Sequence, residues 1–374
     1  MMQAAQGVGM GPLSGIRVLE LAGIGPGPFA AMLLADLGAE VLRIQRPGSE
    51  VDPRDMTHRG KSVLHLDLRD AADRTHFAEL ASQADILIEG FRPGVMERLG
   101  FGPEDLRRGN PRLVYGRMTG WGQDGPLARS AGHDLTYIAL SGLLSALGGR
   151  GEPPSPPLNL VGDYGGGALF LAFGLLAARL RAERTGRGDV VDAAILDSAN
   201  LFAGIFHSLA ERGRWTGEPG TNLIDGGAPF YNVYRCKDGL DIAVAPLEPQ
   251  FHEVFAARLG DEAPEVPDRS DPAVWPELKA RYAALFATRE RDEWCRLFEG
   301  SDACVAPVLT FAEAPHHPQN VARKAYDIRG AEIRPRPAPR FAEAGSPVLE
   351  PPVVLARDAE AGWPAATRRR GWSR

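Results

Sequence analysis

The chain has 374 residues, of which 44% are hydrophobic and 24% charged, and its formal net charge is -6 at pH 7. The chain is longer than most domains that have a single hydrophobic core, so we expect two domains. Its composition is that of an ordinary globular protein. The negative charge gives no support to nucleic-acid binding. No apolar run approaches the roughly 20 residues of a membrane helix, and the first residues lack the features of a secretory signal. We therefore expect a cytoplasmic protein without a membrane or nucleic-acid partner.

The three cysteines, Cys236, Cys295 and Cys304, are odd in number and lack the spacing of metal ligands. They are typical of reduced, mostly buried thiols in a cytosolic protein. The sequence predicts neither a disulfide framework nor a metal site.

The start of the chain predicts a strand–helix–strand unit, with strands at residues 16–21 and 40–44 around a helix at 29–37. The glycine-rich segment before this helix suggests a dinucleotide-binding loop, but Pro28 stands where the fingerprint requires its third glycine. Arg43 and Arg46 suit a phosphorylated nucleotide, because guanidinium groups bind phosphate oxygens bidentately. The alternative is that both arginines are solvated surface charges.

Further alternating elements predict an α/β fold with a mostly parallel sheet. The predicted strands lie at residues 62–68, 85–88, 113–118 and 190–193, and the predicted helices at 71–81, 93–99, 138–147, 168–182 and 196–209. We expect a large Rossmann-like domain over residues 1–199, with ligands bound beyond the carboxyl ends of its strands.

The character of the chain changes after a linker at residues 200–227, of which residues 217–227 are rich in glycine. Residues 228–330 predict a smaller α+β domain, which begins with a hairpin that turns at Lys237-Asp238-Gly239. Its other predicted elements are helices at 250–259, 275–288 and 292–298 and a strand at 303–309. The proline-rich residues 331–374 are expected to be extended and to return to the large domain.

Two candidate proton carriers, His133 and Asp163, flank one helix-plus-loop unit, each beside a glycine and before an apolar helix. A carboxyl group in apolar surroundings has a raised pKa, and imidazoles exchange protons near neutral pH, so the two suit reversible proton transfer at carbon. The alternative is structural: Asp134 and Asp163 cap helices, and His133 only packs.

Glu248 follows the predicted hairpin and lies between Pro246 and Leu247 on one side and Pro249 on the other. Plain exposure is the usual fate of a glutamate. The functional alternative is a carboxylate that reaches across a domain or subunit cleft and holds the His133 ring in one tautomer.

Several segments, taken together and in this order, resemble the family III CoA-transferase (CaiB/BaiF-like) superfamily and, within it, the α-methylacyl-CoA racemases. The segments are Leu21-Ala22-Gly23-Ile24-Gly25-Pro26-Gly27-Pro28, Arg92-Pro93-Gly94-Val95, Gly132-His133-Asp134-Leu135-Thr136-Tyr137, Asn159-Leu160-Val161-Gly162-Asp163, Asp225-Gly226-Gly227-Ala228-Pro229-Phe230, Glu248-Pro249-Gln250-Phe251 and Ser301-Asp302-Ala303-Cys304-Val305. The similarity covers nearly the whole chain. Only the residues before Pro12 and the arginine-rich residues 361–374 depart from it.

The resemblance implies an isomerase that inverts the α-carbon of 2-methylacyl-CoA thioesters, the acyl class of branched-chain lipid metabolism, by two-base 1,1-proton transfer through an enolate. It implies an interlocked homodimer, with CoA entering as part of the substrate and no other cofactor or metal. His133 and Asp163 would be the acid/base pair, Glu248 would support His133, and the backbone N–H of Asp134 would meet the thioester oxygen. The residues that would contact CoA or substrate are Arg46, Leu66, Asp67, Leu68, Arg69, Arg98, Gly132 and Tyr137.

Two other functions stay open at this point. A CoA transferase on the same scaffold would use Asp163 as a nucleophile that forms a mixed anhydride with the acyl group. His133 favours the racemase, because a transferase needs no second proton carrier there. A non-catalytic CoA-binding protein would bind through Arg46 and the loops, while His133 only packs.

Overall fold

The computed structural model describes residues 11–265, 268–344, 350–356 and 363. These residues fall into two compact units: the first takes in the described residues up to Ser141, Leu158–Leu201 and those from Arg334 onward, and the second Gly142–Pro157 and Phe202–Ile333. Residues 142–157 therefore group with the second unit rather than with the predicted large domain, and so do residues 202–227 of the predicted linker. Most of residues 361–374 lie outside the described residues.

Contacts that are distant in sequence explain this difference in boundaries. Arg150 forms an ion pair of 3.1 Å with Glu218, and a Cβ at Gly220 would approach the backbone nitrogen of Arg150. The loop at residues 142–157 therefore packs on the segment around Glu218. Periodicity along the chain cannot reveal a contact of this kind.

A seven-stranded parallel sheet forms the first unit. Its strands are β1 (Arg17–Leu21), β2 (Glu40–Gln45), β3 (Lys61–His65), β4 (Ile86–Glu89), β5 (Val114–Thr119), β6 (Val190–Ala194) and a short edge strand, Val353–Val354. The spatial order is edge strand, β3, β2, β1, β4, β5, β6, with every neighbour parallel. The predicted parallel α/β sheet is confirmed, and its strand order reverses between β1 and β4.

Helices cover both faces of this sheet. The helices packed on its strands are α1 (Pro26–Asp36), α2 (Ala71–Gln83) and α6 (Phe170–Thr185). The unit also contains α3 (Val95–Arg98), α4 (Pro103–Gly109) and α5 (Asp134–Leu140), and α7 (Ile195–Glu211) has residues in both units. Neighbouring strand residues point to opposite faces, so Val18 packs in a core with α1 and α6, while Leu19 packs in a second core with α2. Both cores hold the strand ends in fixed positions.

Two features of the first unit differ from the sequence-based expectation. The predicted helix at residues 138–147 instead begins at Asp134 and stops at Leu140, because Gly142 adopts a positive φ of 83° and turns the chain. The short helix α4 was not predicted; none of its residues is buried, so it has no apolar periodicity to reveal it.

A third difference concerns the glycine-rich residues after Asn159. They form a π-helix, Leu160–Leu169, that continues directly into α6. The combined helix, Leu160–Thr185, has 26 residues and an apolar window of mean hydropathy 1.5, which is long and apolar enough by composition to cross a membrane. The expectation that no segment reaches this length is therefore wrong, because the glycines lengthen the helix rather than end it.

The second unit contains an antiparallel sheet of β7 (Asn232–Arg235), β8 (Asp241–Val244) and β9 (Val305–Pro307). Around it lie α8 (Pro249–Leu259), α9 (Trp275–Phe286) and α10 (Arg291–Phe298). The predicted hairpin occurs, and Gly239 supplies the positive φ of 78° at its turn. Stacked and edge-on aromatic rings form the core, among them Phe255, Tyr282, Phe286, Trp294 and Phe298.

After this core the chain forms α11 (Pro318–Ala322), β10 (Tyr326–Arg329) and β11 (Glu332–Pro335), the two strands pairing with each other. The cysteines of the second unit are free: Cys236 is buried, Cys295 half-buried and Cys304 exposed. The expectation of mostly buried thiols therefore holds for Cys236 alone.

Candidate active site

Two cavities meet where the strand order reverses, at the point where parallel α/β sheets bind ligands. The loop after β1 and the loop after β4 supply the wall that they share. Both cavities are lined by Leu21, Ala22, Gly23, Ile24, Phe91 and Arg92. One elongated ligand placed along this wall would therefore contact both.

The arginine-lined cavity has a volume of about 720 Å³. It contains every residue that the resemblance assigns to the CoA nucleotide: Arg46, Leu66, Asp67, Leu68, Arg69 and Arg98. Arg46 follows β2, and the run from Leu66 to Arg69 follows β3, so the parallel strands bring these loops to one edge of the sheet. Arg43 and Arg92 add two more guanidinium groups to the lining.

Arg43, within β2, and Arg46, directly after it, have different environments. Arg43 is buried and ion-paired with Glu20, which also accepts a hydrogen bond of 2.6 Å from the buried Lys61 ammonium. Lys61 and Arg43 in turn donate to the carbonyl groups of Pro28 and Gly23, at 2.9 and 3.4 Å. Arg43 and Lys61 therefore hold the two ends of the glycine-rich loop through hydrogen bonds to its carbonyl groups. Arg46, in contrast, is exposed and lines the cavity.

Asp67 and Arg69 form a pair within the arginine-lined cavity. The Arg69 guanidinium donates to both Asp67 oxygens, at 3.0 and 2.9 Å, and its backbone N–H donates at 3.1 Å. These hydrogen bonds hold the pKa of Asp67 at about 2, far below its ordinary value. The Asp67 carboxylate is therefore charged at neutral pH and fixes Arg69 at the cavity.

The glycine-lined cavity has a volume of about 730 Å³ and contains both candidate proton carriers, His133 and Asp163. Gly132 and Tyr137, which the resemblance assigns to contacts with CoA or substrate, line it as well. The cavity also takes in the loop from Gly23 to Pro28, in which glycine alternates with Ile24, Pro26 and Pro28. The structure thus brings together two residues that are thirty positions apart in sequence.

His133 is the N-cap residue of α5, and its side chain is exposed. Its backbone N–H donates to the Thr136 hydroxyl at 3.0 Å, so the cap fixes the backbone and leaves the imidazole available to the cavity. Asp134 is the first helical residue rather than the cap, which corrects the structural alternative for this residue.

The Asp134 side chain turns inward and is 6% exposed. Its Oδ2 accepts a hydrogen bond of 2.6 Å from the backbone N–H of Asp163. A Cβ at Gly162 would overlap this carboxylate, so only glycine fits there. Asp163 itself lies in the first turns of the π-helix and is not its N-cap, a place taken by Asn159.

The Asp163 carboxyl is half-buried, and its pKa lies above the ordinary value. Burial is the largest cause, since it disfavours the charged form, and the neighbouring Asp134 charge adds to it. A hydrogen bond of 3.3 Å from the Asn159 amide and the nearby His133 act in the opposite direction. Across the cavity, a Cβ on Gly25 would lie 3.4 Å from Asp163 Oδ2, so the loop before α1 approaches this carboxyl with bare backbone.

Tyr137 forms part of the cavity floor. Its ring packs edge-on against Trp121 with centroids 4.7 Å apart, and a Cβ at Gly120 or Gly132 would overlap it. Burial raises the pKa of Tyr137, and the Asp163 charge raises it further. The hydroxyl therefore keeps its proton at neutral pH.

Glu248 lies in the second unit, as the exposed N-cap residue of α8. Its proposed support of the His133 ring stays a prediction. Within the described residues, no group of three or more His, Cys, Asp and Glu side chains has the arrangement of a metal site.

Sequence reasoning did not assign roles to three residues of the shared wall, Ile24, Phe91 and Arg92. Ile24 is 87% exposed, which is unusual for its type and suggests a ligand contact. The signal was present in the sequence, since each residue follows a predicted strand of the parallel sheet. What was missing was the strand order, which makes the ends of β1 and β4 neighbours.

Comparisons with known proteins agree with this architecture. The chain is 45% identical over 328 residues to the α-methylacyl-CoA racemases of Mus musculus and Homo sapiens, across 87% of this chain and 86% of each relative. It is 32% identical over 349 residues to acetyl-CoA:oxalate CoA-transferase of Acetobacter aceti, across 87% of this chain and 88% of that one.

A solved structure, that of a CAIB/BAIF family protein from Brucella suis, superposes with a TM-score of 0.78 at 25% identity and covers 96% of this chain and 99% of that one. The sequence profile of CoA-transferase family III matches residues 13–344. The resemblance recognised in the sequence is confirmed, and the chain belongs to CoA-transferase family III.

Proposed function

We propose that the protein is a racemase that inverts the α-carbon of 2-methylacyl-CoA thioesters. The observation that carries the proposal is the presence of an imidazole, His133, and a carboxyl group, Asp163, in one cavity. The 45% identity to two α-methylacyl-CoA racemases supports it. A CoA transferase would need the carboxylate but not the imidazole.

The proposed substrate lies along the wall that the two cavities share. Its CoA phosphates bind in the arginine-lined cavity, where Arg46, Arg69, Arg92 and Arg98 offer guanidinium groups. The pantetheine arm passes Ile24 and Phe91, and the thioester enters the glycine-lined cavity. Gly25, which lies near Asp163 and has no side chain, allows close approach of the substrate to this carboxyl.

In the proposed mechanism, one of the two groups removes the α-proton and the C–H electron pair becomes the π-bond of an enolate. The other group then delivers its own proton to the opposite face, which inverts the centre. The reverse reaction exchanges the roles of the groups. The raised pKa of Asp163 supports its part, because burial makes this carboxyl a weaker acid, and its carboxylate a stronger base, than an exposed aspartate.

The thioester oxygen gains negative charge in the enolate and needs hydrogen-bond donors. The first N–H groups of a helix have no partner within the helix, and we assign this role to the backbone N–H of Asp134 at the start of α5. Donors that are fixed in place before the reaction stabilise such charge most effectively. The mechanism assigns every proton transfer to side chains and calls on no cofactor besides the CoA of the substrate.

We further propose a homodimer, supported by the exposed apolar stripe on the long helix. Leu169, Phe173 and Leu180 are 52%, 74% and 59% exposed, while Leu171, Leu175 and Ala178 on the other side of α6 are buried in the sheet core. This buried side supports a core helix over a membrane span. In a dimer, Glu248 of one subunit would support His133 of the other.

Sedimentation of the purified chain tests the dimer. The wild type should sediment as a dimer, whereas Phe173→Glu places a charge in the apolar stripe and should yield monomers. A wild type that sediments as a monomer at micromolar concentration would contradict the proposal.

Incubation with a single epimer of a 2-methylacyl-CoA in deuterated water tests the reaction. The racemase should incorporate deuterium at C2 and produce the other epimer. A transferase would instead move CoA to an added carboxylate such as acetate or succinate, without exchange at C2. Transfer of CoA without deuterium incorporation would overturn the proposal.

A further inference from the structure

The side chain of Asp134 has an environment that the mechanism above does not explain. It is 6% exposed, and its Oδ1 has no hydrogen-bond partner among the residues that the structure describes. Burying a carboxylate with half of its hydrogen-bonding capacity unused is costly. The proposed oxyanion contact uses only the backbone N–H of this residue. It does not explain why the carboxylate is buried at a cost in free energy.

The used oxygen of this carboxylate points at the backbone of the proton carrier. Asp134 Oδ2 accepts from the Asp163 N–H at 2.6 Å. In a π-helix the N–H of one residue bonds to the carbonyl five residues back, and the Tyr164 N–H reaches the Asn159 carbonyl at 3.3 Å in this way. The Asp163 N–H precedes that first bond, so the helix offers it no acceptor. Asp134 on α5 therefore caps the π-helix from outside.

We infer that the Asp134 side chain is a positioning group for Asp163: it fixes the backbone of the proton carrier and places a second carboxylate beside it. This inference rests on the proposed racemase function. Gly162 supports it, because a Cβ at this position would occupy the space of the Asp134 carboxylate. The geometry is therefore built around the contact and does not tolerate a side chain between the two aspartates.

The charge of Asp134 has a second consequence, since like charges in a half-buried site disfavour each other. Asp134 raises the pKa of Asp163, after burial, which is the larger cause. His133 faces Asp163 from α5 and acts in the opposite direction, and Tyr137 on the same helix is the other titratable group near it. The residue of α1 nearest to Asp163 is its N-cap, Gly25, which has no side chain and therefore no charge. Removing the Asp134 charge should therefore lower the pKa of Asp163.

Two substitutions separate position from charge. Asp134→Asn keeps an oxygen acceptor for the Asp163 N–H and removes the charge, whereas Asp134→Ala removes both. The backbone N–H assigned to the oxyanion remains in each variant. Asp70→Asn is the matched control, because Asp70 caps α2 by accepting from the Ala72 and Asp73 N–H groups at 3.0 and 3.1 Å and is not among the residues that line the glycine-lined cavity.

The experiment measures C2 deuterium exchange against pH for all four proteins, together with the titration of the Asp163 carboxyl carbon by NMR. We expect Asp134→Ala to lower kcat by roughly tenfold or more, the usual effect of losing a hydrogen bond to a charged group, with a smaller change in KM. In Asp134→Asn the Asp163 limb of the kcat/KM profile and its NMR titration should both move to lower pH. Asp70→Asn should leave the profile in place.

An Asp163 titration that is identical in wild type and Asp134→Asn would overturn the inference, even if Asp134→Ala fails to fold. Wild-type kcat in Asp134→Ala would do the same. Because the NMR titration does not depend on turnover, a protein without any C2 exchange would refute the racemase proposal and still leave the contact between the aspartates open to measurement.

Discussion

Asp67 and Asp163 are two aspartates at neighbouring cavities of one sheet edge, and their acidities are shifted in opposite directions. Arg69 holds the pKa of Asp67 at about 2 through direct hydrogen bonds, whereas burial raises the pKa of Asp163. The arginine-lined cavity thus keeps fixed charges, which suit the binding of phosphates. The glycine-lined cavity makes the Asp163 carboxylate easier to protonate than an exposed one, which suits acid/base chemistry. The difference teaches that burial and partner, not residue type, decide what a carboxyl group does.

The largest expected effect comes from the glycine-lined cavity. His133→Ala and Asp163→Ala should each lower the rate of epimerisation by about 10²–10⁴-fold, the usual contribution of a general acid or base. Steady-state conversion of one epimer of 2-methylacyl-CoA to the other measures this. Thermal melting curves serve as the fold control, and epimerisation at the wild-type rate in either variant would refute the assignment.

A smaller effect, of a different kind, is expected in the arginine-lined cavity. Arg46→Ala and Arg98→Ala should raise KM for acyl-CoA by roughly 10-fold each with kcat little changed, because charge-assisted contacts to phosphate contribute to binding throughout the reaction. Arg54→Ala is the matched control: Arg54 is exposed, pairs with Asp52 at 2.9 Å and lies outside both cavities. A fall in kcat without a change in KM would remove the distinction between the cavities.

The smallest effect concerns stability against pH and tests the opposite shifts directly. The folded pKa of Asp163 is raised, so its contribution to stability is present at low pH and is lost as pH rises through the folded value. The difference in Tm between Asp163→Asn and wild type should therefore shift in favour of the variant as pH rises from about 4 to about 8. Asp67 has a folded pKa lowered to about 2, so its contribution to stability grows as pH rises from about 2 to the unfolded value of about 4 and is constant above it. The Tm of Asp67→Asn should therefore fall relative to wild type as pH rises from about 2 to about 4.

Melting curves of the three proteins at several pH values provide this measurement. The same sign of change in both variants would contradict the contrast between the cavities.

Much of the site was predictable because it follows from local patterns. Alternating apolar residues predicted β1 to β6, and Arg46 was predicted to bind phosphate because it follows the second of these strands. The segment after β3 was assigned to CoA by the resemblance to family III. The resemblance to family III identified His133 and Asp163 as a pair. None of these steps required contacts between distant residues.

What could not be predicted depends on packing across the sequence. The inward turn of Asp134 needs the bare backbone of Gly162, and glycines in a row predict a loop rather than the π-helix that they form here. The ion pair between Arg43 and Glu20 depends on the register of β1 against β2, which places Glu20 opposite Arg43. Residues 142–157 joined the second unit through contacts near Glu218 that no periodicity encodes.

Separate incubation of each pure epimer with His133→Ala and with Asp163→Ala in deuterated water tests the central claim most directly, namely that the two groups act on opposite faces of one carbon. Each variant keeps one proton carrier, so each should exchange the C2 hydrogen of one epimer without inverting it, and the two variants should act on opposite epimers. Exchange of the same epimer by both variants, or inversion that is as fast as exchange in either one, would contradict the account.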